Sequence, residues 1–260
     1  MNRTIVITGA ASGIGQATAA LLAERGDRVI GVDIHDADVV ADLSTAAGRA
    51  DMIAQVTAHS GGSVDAIVAN AGVATPTATT VGVNFFGAVE TLSGLRPLLA
   101  GSAAPRAVAT ASMASLFPPD QALLDALLAG DETAAMARGA ELERAGGEQA
   151  NLIYGTTKRA LVRWIRRHAA GPEWAGAGIP LNAIAPGVVE TPMTAAFTGS
   201  DEARHAILDL VPMPLNGIFP PRDVAYLLAW LVSEENAHLC GQIVFIDGGS
   251  DAVIRGESNW

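Results

Sequence analysis

Residues 4–26 read TIVITGAASGIGQATAALLAERG, and this stretch decides the fold. A short β-branched apolar run, 4–8, leads into small residues and three glycines. A helical pattern follows over 14–25, with apolar residues at Ile14, Ala17, Leu21 and Leu22, and stops at Gly26. Strand, glycine turn and helix in that order predict a cradle for a dinucleotide. Glycines let the backbone turn tightly and approach a pyrophosphate, and the helix N-terminus offers unpaired N–H groups and partial positive charge. Thr8, Gly9, Ser12, Gly13, Ile14 and Gly15 are its expected contacts. A glycine triplet alone is a weak signal, because any tight strand-to-helix turn favours glycine; the flanking strand and helix strengthen it.

The rest of the chain is compatible with such a cradle. Its 260 residues can bury one large core; half are hydrophobic and 17% charged, which describes a folded chain of one domain. A formal net charge of -11 argues against nucleic acid and against an anionic membrane surface as partners. The single cysteine, Cys240, has no internal disulfide partner, which suits a reducing compartment, and reads as a small buried hydrophobe rather than a nucleophile. The five histidines lack metal-ligand spacing and read as surface or loop residues, so no metal is expected. No apolar run reaches membrane-spanning length and the N-terminus carries no signal-peptide pattern, which makes a cytoplasmic location the expectation.

Apolar runs at 4–8, 28–32, 39–41, 66–69, 106–111, 180–184 and 243–246 predict seven strands. Most are continuously apolar, as strands covered on both faces are. Helical patterns at 14–25, 44–59, 80–99, 154–170 and 222–232 lie between them. The predicted class is therefore α/β: a Rossmann-like, doubly wound, seven-stranded parallel sheet with helices on both faces. Two regions break the rhythm. Residues 116–147 hold two helical patterns and no strand, and residues 191–221 are rich in Pro, Met and Phe.

The turn spaces its glycines as Gly9-x-x-x-Gly13-x-Gly15 after Thr8, which departs from G-x-G-x-x-G and resembles the short-chain dehydrogenase/reductase family. Further matches follow along nearly the whole chain. Asp33, at the end of the second strand, is placed to accept hydrogen bonds from the adenosine ribose and to repel a 2′-phosphate; with no Lys or Arg beside it, NAD is favoured over NADP. Asp42 and Leu43 resemble the family's adenine-contacting pair. Asn70, Ala71 and Gly72 resemble its Asn-Ala-Gly motif, in which the Asn ties the sheet and the next two residues pass the ribose. Pro186, Gly187, Val189 and Thr191 resemble the segment that lies over the nicotinamide. Residues 246–249, Ile-Asp-Gly-Gly, resemble a structural signature of the last strand.

Tyr154 and Lys158 are one helical turn apart on one face. A free phenol, with pKa about 10, is a poor base at neutral pH. A neighbouring cation, together with the positive nicotinamide of NAD⁺, would lower it, so that Tyr154 could exchange a proton with a hydroxyl or carbonyl oxygen. The resemblance adds Ser112, whose hydroxyl would hold the substrate oxygen, with Ser115 as competitor, and Asn84, which would anchor a water linking the lysine to solvent. The implied activity is an NAD(H)-dependent oxidoreductase interconverting a secondary alcohol and a ketone.

The 191–221 loop should lid the pocket. Its Met193, Phe197 and Met213 are candidate substrate contacts for a bulky apolar carbonyl or alcohol. Eleven residues separate Gly72 from Asn84, fewer than the family usually has, and 41 separate Ser112 from Tyr154, far more than usual. The extra segment, 116–147, is expected to pack on a partner subunit or over the cleft of a homodimer or homotetramer. With this insertion, the runs VDIHDAD (32–38) and ADLSTA (41–46) are similar to bacterial 3α-hydroxysteroid dehydrogenase/carbonyl reductases. Aryl ketones or aromatic amino alcohols are alternative substrates on the same site. A non-catalytic NAD-binding sensor, and a sugar-nucleotide epimerase or dehydratase sharing the Tyr–Lys pair, are the other readings.

Overall fold

A computed structural model describes residues 3–257. Seven parallel strands, β1 (Thr4–Thr8), β2 (Arg28–Asp33), β3 (Val39–Val40), β4 (Ala66–Ala69), β5 (Arg106–Thr110), β6 (Leu181–Pro186) and β7 (Ile243–Ile246), form one sheet in the order β3-β2-β1-β4-β5-β6-β7. Side chains alternate across each strand, and both faces are buried. Ile5 and Ile7 face Leu21 and Leu22 of α1 (Gly13–Glu24) and Val224 and Leu228 of α10 (Pro221–Leu231). Val6 faces the opposite layer, with Met52 of α2 (Ala46–Ser60), Leu92 of α4 (Ala88–Leu95) and Ile165 of α7 (Gly147–His168). Burial on both sides is why the strands read as unbroken apolar runs. Among the described residues no helix is long and apolar enough to cross a membrane, and no group of metal-ligating side chains forms.

The helix expected over 80–99 is not uniform. It starts as α3 (Thr79–Val81), widens into a π turn (Gly82–Gly87), resumes as α4 and ends in a 3₁₀ turn (Arg96–Gly101). The π turn has a cause in the packing. Gly82 presses on the preceding loop so closely that a Cβ there would stand 2.5 Å from the Ser44 carbonyl oxygen, and Asn84 turns inward, fully buried.

The insertion forms α5 (Gln121–Ala129) and α6 (Glu132–Ala145). Their apolar faces, Leu123, Leu124, Leu127, Ala135 and Leu142, are buried in the same core as α7. This corrects the expectation that they await a partner subunit or cover the cleft: the chain satisfies them itself. Asp120 caps α5 by accepting from Leu123 N at 2.8 Å, and its carboxylate grips Arg138 at 3.1 and 2.7 Å. The Asp120 N–H donates to the buried Thr156 hydroxyl of α7 at 2.9 Å. The lid region holds α8 (Ala195–Thr198) and α9 (Asp201–Leu210), and a last helix, α11 (Ser250–Arg255), follows β7.

Candidate active site

The sheet reverses its winding between β1 and β4, and a cleft of about 340 Å³ opens at the carboxyl ends of the strands there. The glycine turn forms one wall. Gly9 and Gly13 adopt φ of +71° and +52°, the left-handed region. A Cβ on Gly15 would stand 1.9 Å from the Gly9 carbonyl oxygen, so no side chain fits there. Ser12, the N-cap of α1, makes no side-chain capping bond and lines the cleft with Gly13 and Ile14. The first N–H groups of α1 lack intrahelical acceptors. Bare backbone, a free hydroxyl and a helix N-terminus are the surroundings a pyrophosphate requires.

Asp33 ends β2 at the cleft. Its Oδ2 accepts from Ala11 N at 2.9 Å and its Oδ1 from Ile34 N at 2.7 Å, which fixes the carboxylate against the glycine turn. Asp42 and Leu43 continue this wall. Thr8 is not a lining residue: it is 1% exposed, and its hydroxyl accepts the N–H groups of Asn70 and Ala71, both at 3.0 Å. Asn70 donates to Thr8 O at 3.1 Å and accepts from Thr110 Oγ1 at 3.0 Å, so one side chain ties β1, β4 and β5 at the cleft floor.

α7 carries the chemistry. It begins at Gly147, seven residues earlier than its sequence pattern, so Tyr154 sits inside a regular helix. Lys158 Nζ lies 5.8 Å from the Tyr154 ring centroid and donates to Thr110 O at 2.9 Å. Gly72 makes room for it, since a Cβ there would stand 3.3 Å from Nζ. Ser112, just past β5, accepts from Ala114 N at 3.1 Å. Ser112, Tyr154 and Lys158 all line the cleft, whereas Ser115 is buried behind it in a 3₁₀ turn. Asn84 is not a lining residue either. Its Oδ1 accepts from Val73 N and its Nδ2 donates to Val73 O, both at 2.9 Å, and Nδ2 also reaches Thr157 Oγ1 at 3.3 Å. Thr157 in turn donates to Tyr154 O at 2.8 Å.

Burial dominates the titration of the pair. It pulls the Lys158 ammonium down to about 8 and pushes the Tyr154 phenol up, the Ser112 hydroxyl opposing the latter. Burial thus opposes the lowering expected of the lysine and the nicotinamide together, and the amine is turned to the Thr110 carbonyl.

Pro186, Gly187, Val189 and Thr191 cross the cleft mouth. Thr191 lies so close to Gly13 that a Cβ on the glycine would come within 3.1 Å of the Thr191 methyl. Thr194 Oγ1 accepts from Thr191 N at 3.0 Å and donates to Val189 O, which locks this turn. Of the lid candidates only Met193 lines the cleft, 44% exposed. Phe197 is exposed outside it. Met213 is 5% exposed beneath the strand-end loop, its sulfur accepting from Val188 N at 3.3 Å. It packs with Met113, Val188 and Val211 as floor rather than lining. Val32, Ile34, Ala41, Val73, Val83, Thr110, Ala111, Pro192 and Thr194 line the cleft without having been marked as site residues by the sequence. Ile34 had a signal: a large apolar side chain directly after a strand-end carboxylate, 60% exposed.

A family model described as enoyl-(acyl carrier protein) reductase matches residues 9–251. The chain is 40% identical over 256 residues to the 3-alpha-hydroxysteroid dehydrogenase/carbonyl reductase of Comamonas testosteroni, covering 96% of this chain and 97% of that protein. The crystal structure of the 3-alpha-hydroxysteroid dehydrogenase from Pseudomonas sp. B-0831 complexed with NADH superposes with a TM-score of 0.89 at 38% identity, covering 98% and 99% of the two chains. A putative NAD(P) dependent gluconate 5-dehydrogenase from Beutenbergia cavernae, solved with bound NADP, gives a TM-score of 0.74 at 28% identity, with 96% and 97% covered.

Proposed function

The chain belongs to the short-chain dehydrogenase/reductase family and is an oxidoreductase of it, and from that premise we propose that it interconverts a secondary alcohol and a ketone on a bulky apolar substrate with NAD(H). The observation that carries this reading is the convergence of Ser112, Tyr154 and Lys158 on one cleft beside the glycine turn. The cofactor, when bound, supplies the hydride acceptor or donor and a positive ring that favours the phenolate. Gly9, Ser12, Gly13 and Ile14 would hold its pyrophosphate, Asp33 the adenosine ribose, Asp42 and Leu43 the adenine, and Gly187, Val189 and Thr191 the nicotinamide.

The protein's own part is orientation and proton transfer. Tyr154 takes the alcohol proton during oxidation and returns one to the carbonyl oxygen during reduction. Ser112 holds that same oxygen. Lys158, whose ammonium donates to Thr110 O, has further N–H donors that would hold the ribose, and its charge would favour the phenolate. Asn84 acts at one remove by fixing Val73 and Thr157.

NAD rather than NADP is argued from Asp33. Its carboxylate would face a 2′-phosphate with repulsion on the order of a few kcal/mol, and Lys158 is the only cationic side chain among the cleft's described lining residues. The related steroid enzymes and the exposed Met193 beside the cleft support an apolar substrate such as a steroid. The test is a panel of steroid, aryl-ketone and amino-alcohol substrates with NAD⁺ and NADP⁺, following reduced-cofactor absorbance, on the wild type and Tyr154→Phe. The variant should bind NADH and lose turnover by about 10²–10⁴-fold; unchanged turnover would refute the mechanism.

A further inference from the structure

Arg49 has no part in the chemistry above, yet its charged side chain is shielded from solvent, at 0% exposure. Its guanidinium makes four contacts from three helices and a loop. Nη2 donates to both carboxylate oxygens of Glu132, at 2.8 and 2.7 Å. Nε sits 2.8 Å from Glu90 Oε2 as an ion pair, too poorly aligned to count as a hydrogen bond. The plane lies 5.9 Å over the Phe86 ring. Nη1 donates to the Leu43 carbonyl at 3.3 Å.

The last contact connects this cluster to the cleft. Leu43 and Asp42 form the wall beyond Asp33, and their loop is clamped from two other sides. A Cβ on Gly48 would stand 2.0 Å from Asp42 O, and one on Gly87 would stand 3.2 Å from Leu43 Cβ. Gly87 also abuts the Leu43 carbonyl oxygen, which a Cβ there would meet at 3.3 Å, and Arg49 adds the hydrogen bond that holds this carbonyl in its direction. Burying a guanidinium costs several kcal/mol, and apolar side chains would join helices as well or better. Glu132 opens α6, inside the insertion, so the cluster joins the insertion to the 42–44 loop, which has no direct contact with it through the cleft lining.

We propose that Arg49 is a positioning residue for the adenine side of the cofactor site, and that Glu132 makes the insertion part of that site. This rests on the dinucleotide reading above. The insertion thereby acts on cofactor affinity through one guanidinium, without touching the cofactor.

The test is Glu132→Gln in the full chain, with Glu90→Gln as a second route to the same guanidinium. Both carboxylates are about one-third exposed, and both changes keep side-chain shape. NADH affinity is read by fluorescence titration, AMP affinity by competition, and kcat at saturating NAD⁺. Both variants should bind NADH and AMP roughly three- to tenfold more weakly, with kcat unchanged. Glu143→Ala, which removes the insertion's separate tie to Ala78 N, should leave both affinities at the wild-type value. A lower melting temperature with unaltered NADH and AMP affinity in the Glu132 and Glu90 variants would overturn the proposal, as would an equal loss in the Glu143 variant. A wild-type chain that binds no NADH would overturn the dinucleotide reading itself, a result distinct from either.

Discussion

Replacing Lys158 by methionine should stabilise the folded chain while abolishing its chemistry. The amine is 3% exposed, has no carboxylate partner, and donates to a single carbonyl, Thr110 O. Its fall from the ordinary 10.5 to about 8 corresponds to about 3 kcal/mol of unfavourable burial. Loss of the hydrogen bond to Thr110 O returns about 1 kcal/mol. The net gain at pH 7 is therefore about 2 kcal/mol, or roughly 4–8 °C in Tm for a chain of this size. Its pH dependence identifies the cause. Below pH 8 the amine is protonated in both states and the penalty is constant. Between pH 8 and 10.5 the unfolded chain binds the proton and the folded chain does not, so wild-type stability rises with pH. Urea melts at pH 7 and 9.5 should show the gap between variant and wild type closing by about 2 kcal/mol. Staying below pH 10 keeps the Tyr154 ionisation out of the measurement. A variant less stable than wild type at pH 7, or a gap indifferent to pH, would refute the reasoning.

Gly72→Ala would place a methyl 3.3 Å from Lys158 Nζ and 3.2 Å from Asn84 Oδ1; the chain should fold, lose about 1–3 kcal/mol of stability to overpacking, and lose at least tenfold in kcat/KM, measured beside NADH affinity. Arg138→Ala should cost about 1–3 kcal/mol at pH 7 through the lost charge-assisted pair with Asp120. Arg138 holds the Asp120 carboxyl below its ordinary 3.8, so this stabilisation is present above that value and lost as pH falls through the folded pKa; acid titration by circular dichroism should show wild type and variant converging below about pH 4. Asp33→Asn should weaken NADH binding about tenfold and narrow the preference for NADH over NADPH, checked by parallel titrations with the two cofactors; an unchanged preference would remove Asp33 from the discrimination.

The sheet was legible because each of its central strands is covered on both sides and therefore apolar along its length. The cofactor turn was legible because glycine is the only residue that fits at positions 9, 13 and 15. Tyr154 and Lys158 were legible because four residues make one helical turn. Other features depended on contacts across the fold. The π turn arises where Gly82 meets Ser44 and Asn84 reaches Val73, neither of which a local pattern encodes. The amphipathic faces of the insertion announced burial without saying against what. Met213 and Met193 read alike in a loop, yet one became floor and the other lining. The direction of the Tyr154 shift turned on how deeply the fold buries the phenol.

α7 begins where the insertion ends and runs unbroken for 22 residues. Tyr154 stands about 10 Å along this rod from its first residue. A lean of a few degrees at that end would carry the phenol about half an ångström, near the tolerance of a reacting group. Residues 116–147 therefore act as the abutment of a lever. A substitution there that shifts α5 or α6, although remote from the reacting atoms, would move the phenol as well.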